Sequence, residues 1–394
     1  MAVLPIVAPP GSAPAVGLGA AELPQHELLA VARAASGRNT AACCRWDVEP
    51  VERIPGPPST VSLHRVRGVV AEKGEQEPWS VVVKVLQSYR HVQLPPELRA
   101  AATVDHSWRH QADLYRAGVA DVLPPGMRLP RVYRIDDLGD DRVALWLEDV
   151  AVIDTAWDLA RFTHAARCLG RLAVRLTRAG HRLPATFSRV PGAVLRWQFI
   201  ERRISMLPAL DGDRLWAHPL IRAVADERLR SDLRRLATRV PRLLDELDRL
   251  PQTFVHGDAS PQNLLVADED PPVLVAIDWT LIGLSAVGYD LAQLLVGAVH
   301  AGRLPVEAMP ALHEAVLDGY CTGLADEAAP VPEDVVRFGL DATLVVRSAF
   351  SALPLAQLEA APDDGLAALV ASRIALTRYL VDVGLSLPTP QESR

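Results

Sequence analysis

The stretch VHGDASPQNLLV (255–266) places His256, Asp258 and Asn263 inside an otherwise apolar segment. A strand alone needs none of these three polar residues. Short β-type runs surround them: QTFV (252–255), NLLVA (263–267) and VLVAI (273–277), the last two joined by the turn DEDPP (268–272). Folded as an antiparallel hairpin, the pattern predicts Leu264 opposite Ile277 and Asn263 opposite Asp278. An amide oxygen and a carboxylate then meet at the open end of the hairpin, with Asp258 on the loop just before it. Such a set suits Mg²⁺ held together with nucleotide phosphates, since Mg²⁺ takes one or two protein oxygens and completes its shell with phosphate and water. Asn263 and Asp278 are the expected metal ligands. Asp258 is the expected catalytic residue, accepting or orienting the proton of an attacking hydroxyl.

A second signal lies far upstream. The chain has 41 basic residues, yet only Lys73 and Lys84 are lysines. Lys84 sits inside the apolar strand VVVKVL, where a cation needs a reason. Phosphate binding is the expected reason.

The sequence between these two signals divides the chain. Residues 1–24, rich in Ala, Pro and Gly, read as a disordered tail rather than a signal peptide. Residues 25–148 read as a small lobe: a helix at 26–36, strands at 59–71 and 78–87 around the polar turn 72–77, a helix at 103–118, and strands at 131–137 and 142–150. Residues 149–388 read as a helical lobe, with helices at 155–180, 192–206, 219–249, 286–301, 306–325, 331–353 and 364–385. The catalytic hairpin (252–278) is the single β insert. The fold class is α+β and two-lobed. A formal charge of −7 argues against a nucleic-acid surface. No run of about 18 apolar residues suggests a membrane span. Cys43, Cys44, Cys168 and Cys321 form no metal or disulfide pattern, which fits a reduced, cytoplasmic chain.

HGDASPQN followed by IDW (277–279) resembles the catalytic core of the aminoglycoside phosphotransferase family, whose fold is similar to that of protein kinases. The resemblance implies ATP and Mg²⁺ as cofactors and a small-molecule hydroxyl as acceptor. It implies Asp258 as catalytic base, Asn263 and Asp278 as metal ligands, and Lys84 on the α- and β-phosphates. His256 is implied as a brace of the loop, and Asp290 in GYDLAQLL (288–295) as its support or as a helix cap. WLEDV (146–150), with Glu148 and Val150, resembles the hinge that meets adenine. PGPPSTV (55–61) replaces a glycine-rich phosphate loop, leaving Ser59 and Thr60 to cover the phosphates. In SWRHQADLY (107–115), Gln111 stands where resembling sequences carry the glutamate that pairs with the strand lysine; Gln111 or Asp105 is then the expected partner of Lys84.

The acceptor is not legible. Acids at Glu314, Asp318, Glu333, Asp334 and Asp341 would suit a cationic antibiotic, but Arg337 and Arg347 lie among them. A sugar, an amino alcohol or a natural-product hydroxyl is equally compatible. Trp197 and Glu201, one helical turn apart, are candidate substrate contacts, although Trp157, Trp197 and Trp216 are more simply core or interface residues. The rival readings are a kinase acting on Ser or Thr of a peptide, and a nucleotide-binding pseudokinase scaffold. Oligomeric state is unreadable from the sequence.

Overall fold

The structure, a computed structural model, describes residues 18, 21–51, 59–96, 108–153, 155–268, 271, 273–359 and 363–388. The small lobe holds α1 (Gln25–Ser36), β1 (Ala42–Pro50), β2 (Thr60–Glu72), β3 (Glu75–Gln87), α2 (His110–Arg116), β4 (Met127–Arg128), β5 (Val132–Gly139) and β6 (Arg142–Glu148). Five strands form one antiparallel sheet in the order β1-β2-β3-β6-β5. The β2–β3 turn is tighter than the six polar residues suggest. Strand pairing runs to Glu72 and Glu75, and the two residues between them, Lys73 and Gly74, have φ of 52° and 87°. That left-handed pair matches the twist of the flanking strands.

Alternation along the strands gives the sheet two faces. Val66, Val70, Val81, Val83, Ala144 and Trp146 pack with α1 into one core. Leu86, Val143, Leu145 and Leu147 join the core that continues into the large lobe. Lys84 lies opposite Leu145 in the β3–β6 register. It therefore shares the face turned toward the large lobe. The end of the segment read as a tail is packed: Leu18 and Ala21 are buried in the small-lobe core, and the rest of residues 1–20 lies outside the described residues. Residues 97–107, including Asp105, also lie outside them, so the described part of the 103–118 helix is α2.

The large lobe contains α3 (Leu159–Arg178), α4 (Ala193–Ser205), α5 (Leu207–Asp211), α6 (Asp213–Ala217), α7 (Pro219–Val224), α8 (Glu227–Arg249), β7 (Gln252–Val255), β8 (Leu264–Ala267), β9 (Val273–Ala276), β10 (Gly283–Ala286), α9 (Tyr289–His300), α10 (Met309–Asp326), α11 (Glu333–Ser348) and α12 (Asp364–Ser386). The helix expected over 219–249 is broken at Ala225–Asp226, because extended Asp226 caps a new helix by accepting from Leu229 N at 2.7 Å. The β insert runs past residue 278: β10 pairs with β7, and β4 runs parallel beside β9. The segment between the lobes is fastened to the hairpin, since Ile153 N donates to Val266 O at 2.9 Å and Asp268 N to Ala151 O at 2.9 Å. Among the described residues no helix is long and apolar enough to cross a membrane.

Candidate active site

The β8–β9 hairpin differs from expectation by one residue. Leu264 pairs with Ala276, not Ile277, and Ala267 with Val273. The loop 268–272 has an odd number of residues, so its closing pair must be 267 with 273. Ile277 N then donates to Asn263 O at 2.9 Å. Asp278 is the first residue beyond the pairing, and its backbone turns left-handed (φ 58°, ψ 61°). A short polar side chain tolerates this conformation better than most. The turn carries the Asp278 carboxylate to the small lobe, where Lys84 Nζ donates to Oδ1 at 3.0 Å. The Thr280 hydroxyl donates to the same oxygen at 2.6 Å. Burial opposes the Asp278 charge, but Lys84 and Thr280 outweigh it and hold the carboxyl below its usual range.

The loop 256–263 is braced from three sides. His256 is fully buried; its Nδ1 accepts from Asp258 N at 3.1 Å, and its Nε2–H donates to Ile277 O at 2.9 Å. This pair of bonds needs the neutral ring, and burial lowers the imidazole pKa accordingly. Beneath the loop, Asp290 accepts from His256 N and Gly257 N, both at 2.9 Å. The cap position of α9 is Gly288, so Asp290 supports the loop rather than capping its helix. Gly257 has φ 89°, and a Cβ there would sit 2.1 Å from Leu281 O. No other residue fits that approach.

Asn263 donates through Nδ2 to Asp258 O and to Asp258 Oδ2, both at 2.9 Å. Its amide oxygen is left as the metal-capable group. Arg347 of α11, distant in sequence, donates to the other Asp258 oxygen, to Gly257 O and, at 3.3 Å, to the Tyr289 hydroxyl. Burial penalises this guanidinium, yet Tyr289, Asp258 and Asp290 hold it protonated above its ordinary value. Burial pushes the Asp258 carboxyl up against the pull of Arg347, while 28% of the side chain stays open to solvent. Sequence reasoning missed the role of Arg347. The signal was present: a lone arginine in the apolar run TLVVRSAF (343–350) poses the same question as Lys84 in VVVKVL.

The sequence matches the phosphotransferase enzyme family over residues 81–331. That span covers more than half of the chain and all of the residues just described except Arg347. The chain belongs to the phosphotransferase enzyme family. No curated protein matches it in sequence. Among solved structures, a microcompartment-associated aminopropanol kinase superposes with a TM-score of 0.50 at 15% identity, covering 92% of this chain and 100% of that one. An aminoglycoside phosphotransferase from Streptomyces rimosus, solved with ADP and streptomycin, gives 0.41 at 18% identity, with 82% and 99% covered. The fold is thus the two-lobed, kinase-like α+β fold, and the protein is a phosphotransferase enzyme.

The remaining expected residues of this phosphotransferase fall in varied places. Gln111 is buried in α2 beside the Tyr115 hydroxyl, and no hydrogen bond joins it to Lys84. The expected Lys84–Gln111 contact is corrected to Lys84–Asp278, because the left-handed turn at Asp278 delivers a full charge where Gln111 offers only a dipole. Glu148 lies at the hinge position, but its side chain binds Arg128 at 2.7 and 2.9 Å and Arg131 N at 2.9 Å. Any contact to a base would fall to the main chain from Glu148 to half-buried Val150. Ser59 and Thr60 are buried where β2 begins; residues 55–58 of the expected phosphate cover lie outside the described residues. Trp197 packs with Tyr89, Leu94 and Trp108 in a cluster joining α4 to the small lobe. Glu201 is held by Arg202 and by Ser205 Oγ, the latter at 3.3 Å.

Proposed function

We propose that this enzyme transfers the γ-phosphate of ATP, with Mg²⁺, to a hydroxyl of a small molecule in the cytoplasm. One observation carries the reading: Lys84 of the small lobe and Asp278 of the large lobe meet at 3.0 Å beside the Asn263–Asp258 pair. Asn263 Oδ1 and the free oxygen of Asp278 would hold Mg²⁺. They are hard donors and too few to cage an ion alone, as suits a metal that arrives with a nucleotide. No cluster of three or more His, Cys, Asp or Glu able to hold a metal occurs among the described residues. The ion supplies charge neutralisation on the phosphates. Lys84 adds a fixed cation there, aimed by the strand alternation of β3. Asp258, fixed through Asn263 and Arg347, orients the acceptor hydroxyl and takes its proton. Asp278 gives Lys84 a full counter-charge, which weighs against the part of the pseudokinase reading that rested on Gln111.

The test is calorimetric titration with ATP, with and without Mg²⁺. Binding should require Mg²⁺ and weaken by roughly tenfold or more, about 1.4 kcal/mol, in Asp278→Ala. Asp258→Asn should bind nucleotide but lose transfer. Absence of nucleotide binding in the wild type overturns the reading.

A further inference from the structure

We infer that the acceptor presents no positive charge to Asp258: it is an uncharged or acidic hydroxyl compound, not a polyamine. The inference rests on the phosphotransferase reading, since it concerns the molecule that must approach that carboxylate.

The corner around Asp258 is built by the loop 256–263, the end of α11 and the C-terminal half of α4. Arg347, whose side chain is 7% exposed, already stands on one Asp258 oxygen, where an acceptor ammonium would otherwise sit. Its guanidinium lies 5.8 Å from the centroid of the Tyr289 ring, which fixes it further. Arg202 of α4 donates Nε to the Arg347 carbonyl at 3.1 Å and Nη1 to Gln198 O at 3.2 Å. The same Nη1 holds Glu201. Asp290 is turned beneath the loop onto main-chain amides. Each carboxylate named at this corner is therefore answered by a guanidinium or by backbone N–H groups. Three acids of the outer helices are likewise engaged: Glu314 and Glu333 share Arg337, and Asp341 binds His313.

A polycationic acceptor gains affinity from carboxylates that lack partners and loses it beside fixed cations. Here it would meet Arg347 and Arg202, neither of which can leave without stranding a half-buried acid, Asp258 or Glu201. Arg202 Nη2 makes none of the bonds above and is left as a donor for an acceptor oxygen. Specificity then comes from repulsion as much as from attraction.

The experiment uses streptomycin as a polycationic hydroxyl probe, titrated calorimetrically at low ionic strength into the full chain. Wild type and Arg202→Lys should give no binding. Arg202→Gln, which releases Glu201, should give measurable binding where wild type gives none, and added salt should remove it. Streptomycin binding by the wild type overturns the inference whatever the variants do. Failure of a folded Arg202→Gln to gain affinity overturns it as well. Should that variant not hold its fold by circular dichroism, Arg202→Met keeps the packed stem and takes its place. Mg-ATP titration of the same samples separates the two readings. Loss of nucleotide binding strikes the phosphotransferase chemistry, while streptomycin heats on nucleotide-free protein judge the charge of the corner.

Discussion

Two cations define the site at the scale of single residues, and both are set in apolar runs. Lys84 emerges from β3 and Arg347 from α11, and each ends on a carboxylate that the hairpin region presents. Arg347 is the more exacting case. It satisfies Asp258, Gly257 O and Tyr289 together, so removing it strands an acid rather than merely deleting a contact. Breaking a buried pair from one side costs about 3–5 kcal/mol; with Asp258 28% exposed, we expect Arg347→Met to lie near the lower end, about 3 kcal/mol. Asp258→Asn in the same background should recover part of that loss. Urea denaturation of the four proteins in the cycle measures it. A coupling energy near zero would show that the pair contributes nothing beyond packing.

Elements show which parts of this architecture a sequence can declare. The strand lysine, the loop 256–263 and Asp278 were legible because each is a local breach of an apolar pattern. Strands β1, β4 and β10 were not, since short strands exist by virtue of their partners, and β4 has only two residues to announce it. The hairpin was legible, and so was the five-residue loop 268–272, which closes 267 with 273; the expected Leu264–Ile277 pairing was one residue out of step with that loop. A slip of one residue inverts every side chain. Helix contacts were silent. Helices α3 and α10 meet through Gly170, Gly319 and Gly323; a Cβ on Gly323 would stand 2.2 Å from Arg167 O, and one on Gly319 2.4 Å from Thr163 O. These obstacles are backbone and cannot rotate aside. Gly323→Ala should therefore cost about 1–3 kcal/mol by forcing the helices apart, despite the better helix propensity of alanine. Thermal melting checks this, and a variant as stable as the wild type would show that the two helices slide freely.

At the scale of the whole molecule, the lobes are joined by buried polar contacts as well as by apolar ones. His110 of α2 is fully buried, with ring nitrogens 3.0 Å from Thr280 O and 2.9 Å from Thr186 O, so one small-lobe side chain touches two large-lobe segments. Burial lowers its pKa from 6.5 more than the two carbonyls raise it. The sign follows from linkage: below pH 6.5 the unfolded chain takes up a proton that the folded site refuses, so this stability is present above pH 6.5 and is lost as pH falls toward the folded value. Asp258 and Asp290, raised by burial, act in the opposite sense at lower pH, so the measurement must be a difference between two proteins. His110→Asn should be less stable than wild type by about 1–2 kcal/mol at pH 8, the cost of a buried hydrogen bond. Urea midpoints taken from pH 8 to pH 5 should show that gap narrowing below pH 6.5. A gap that widens on acidification would mean the reverse, that the fold holds His110 as the imidazolium with both carbonyls accepting its protons. The tie between the lobes would then strengthen in acid.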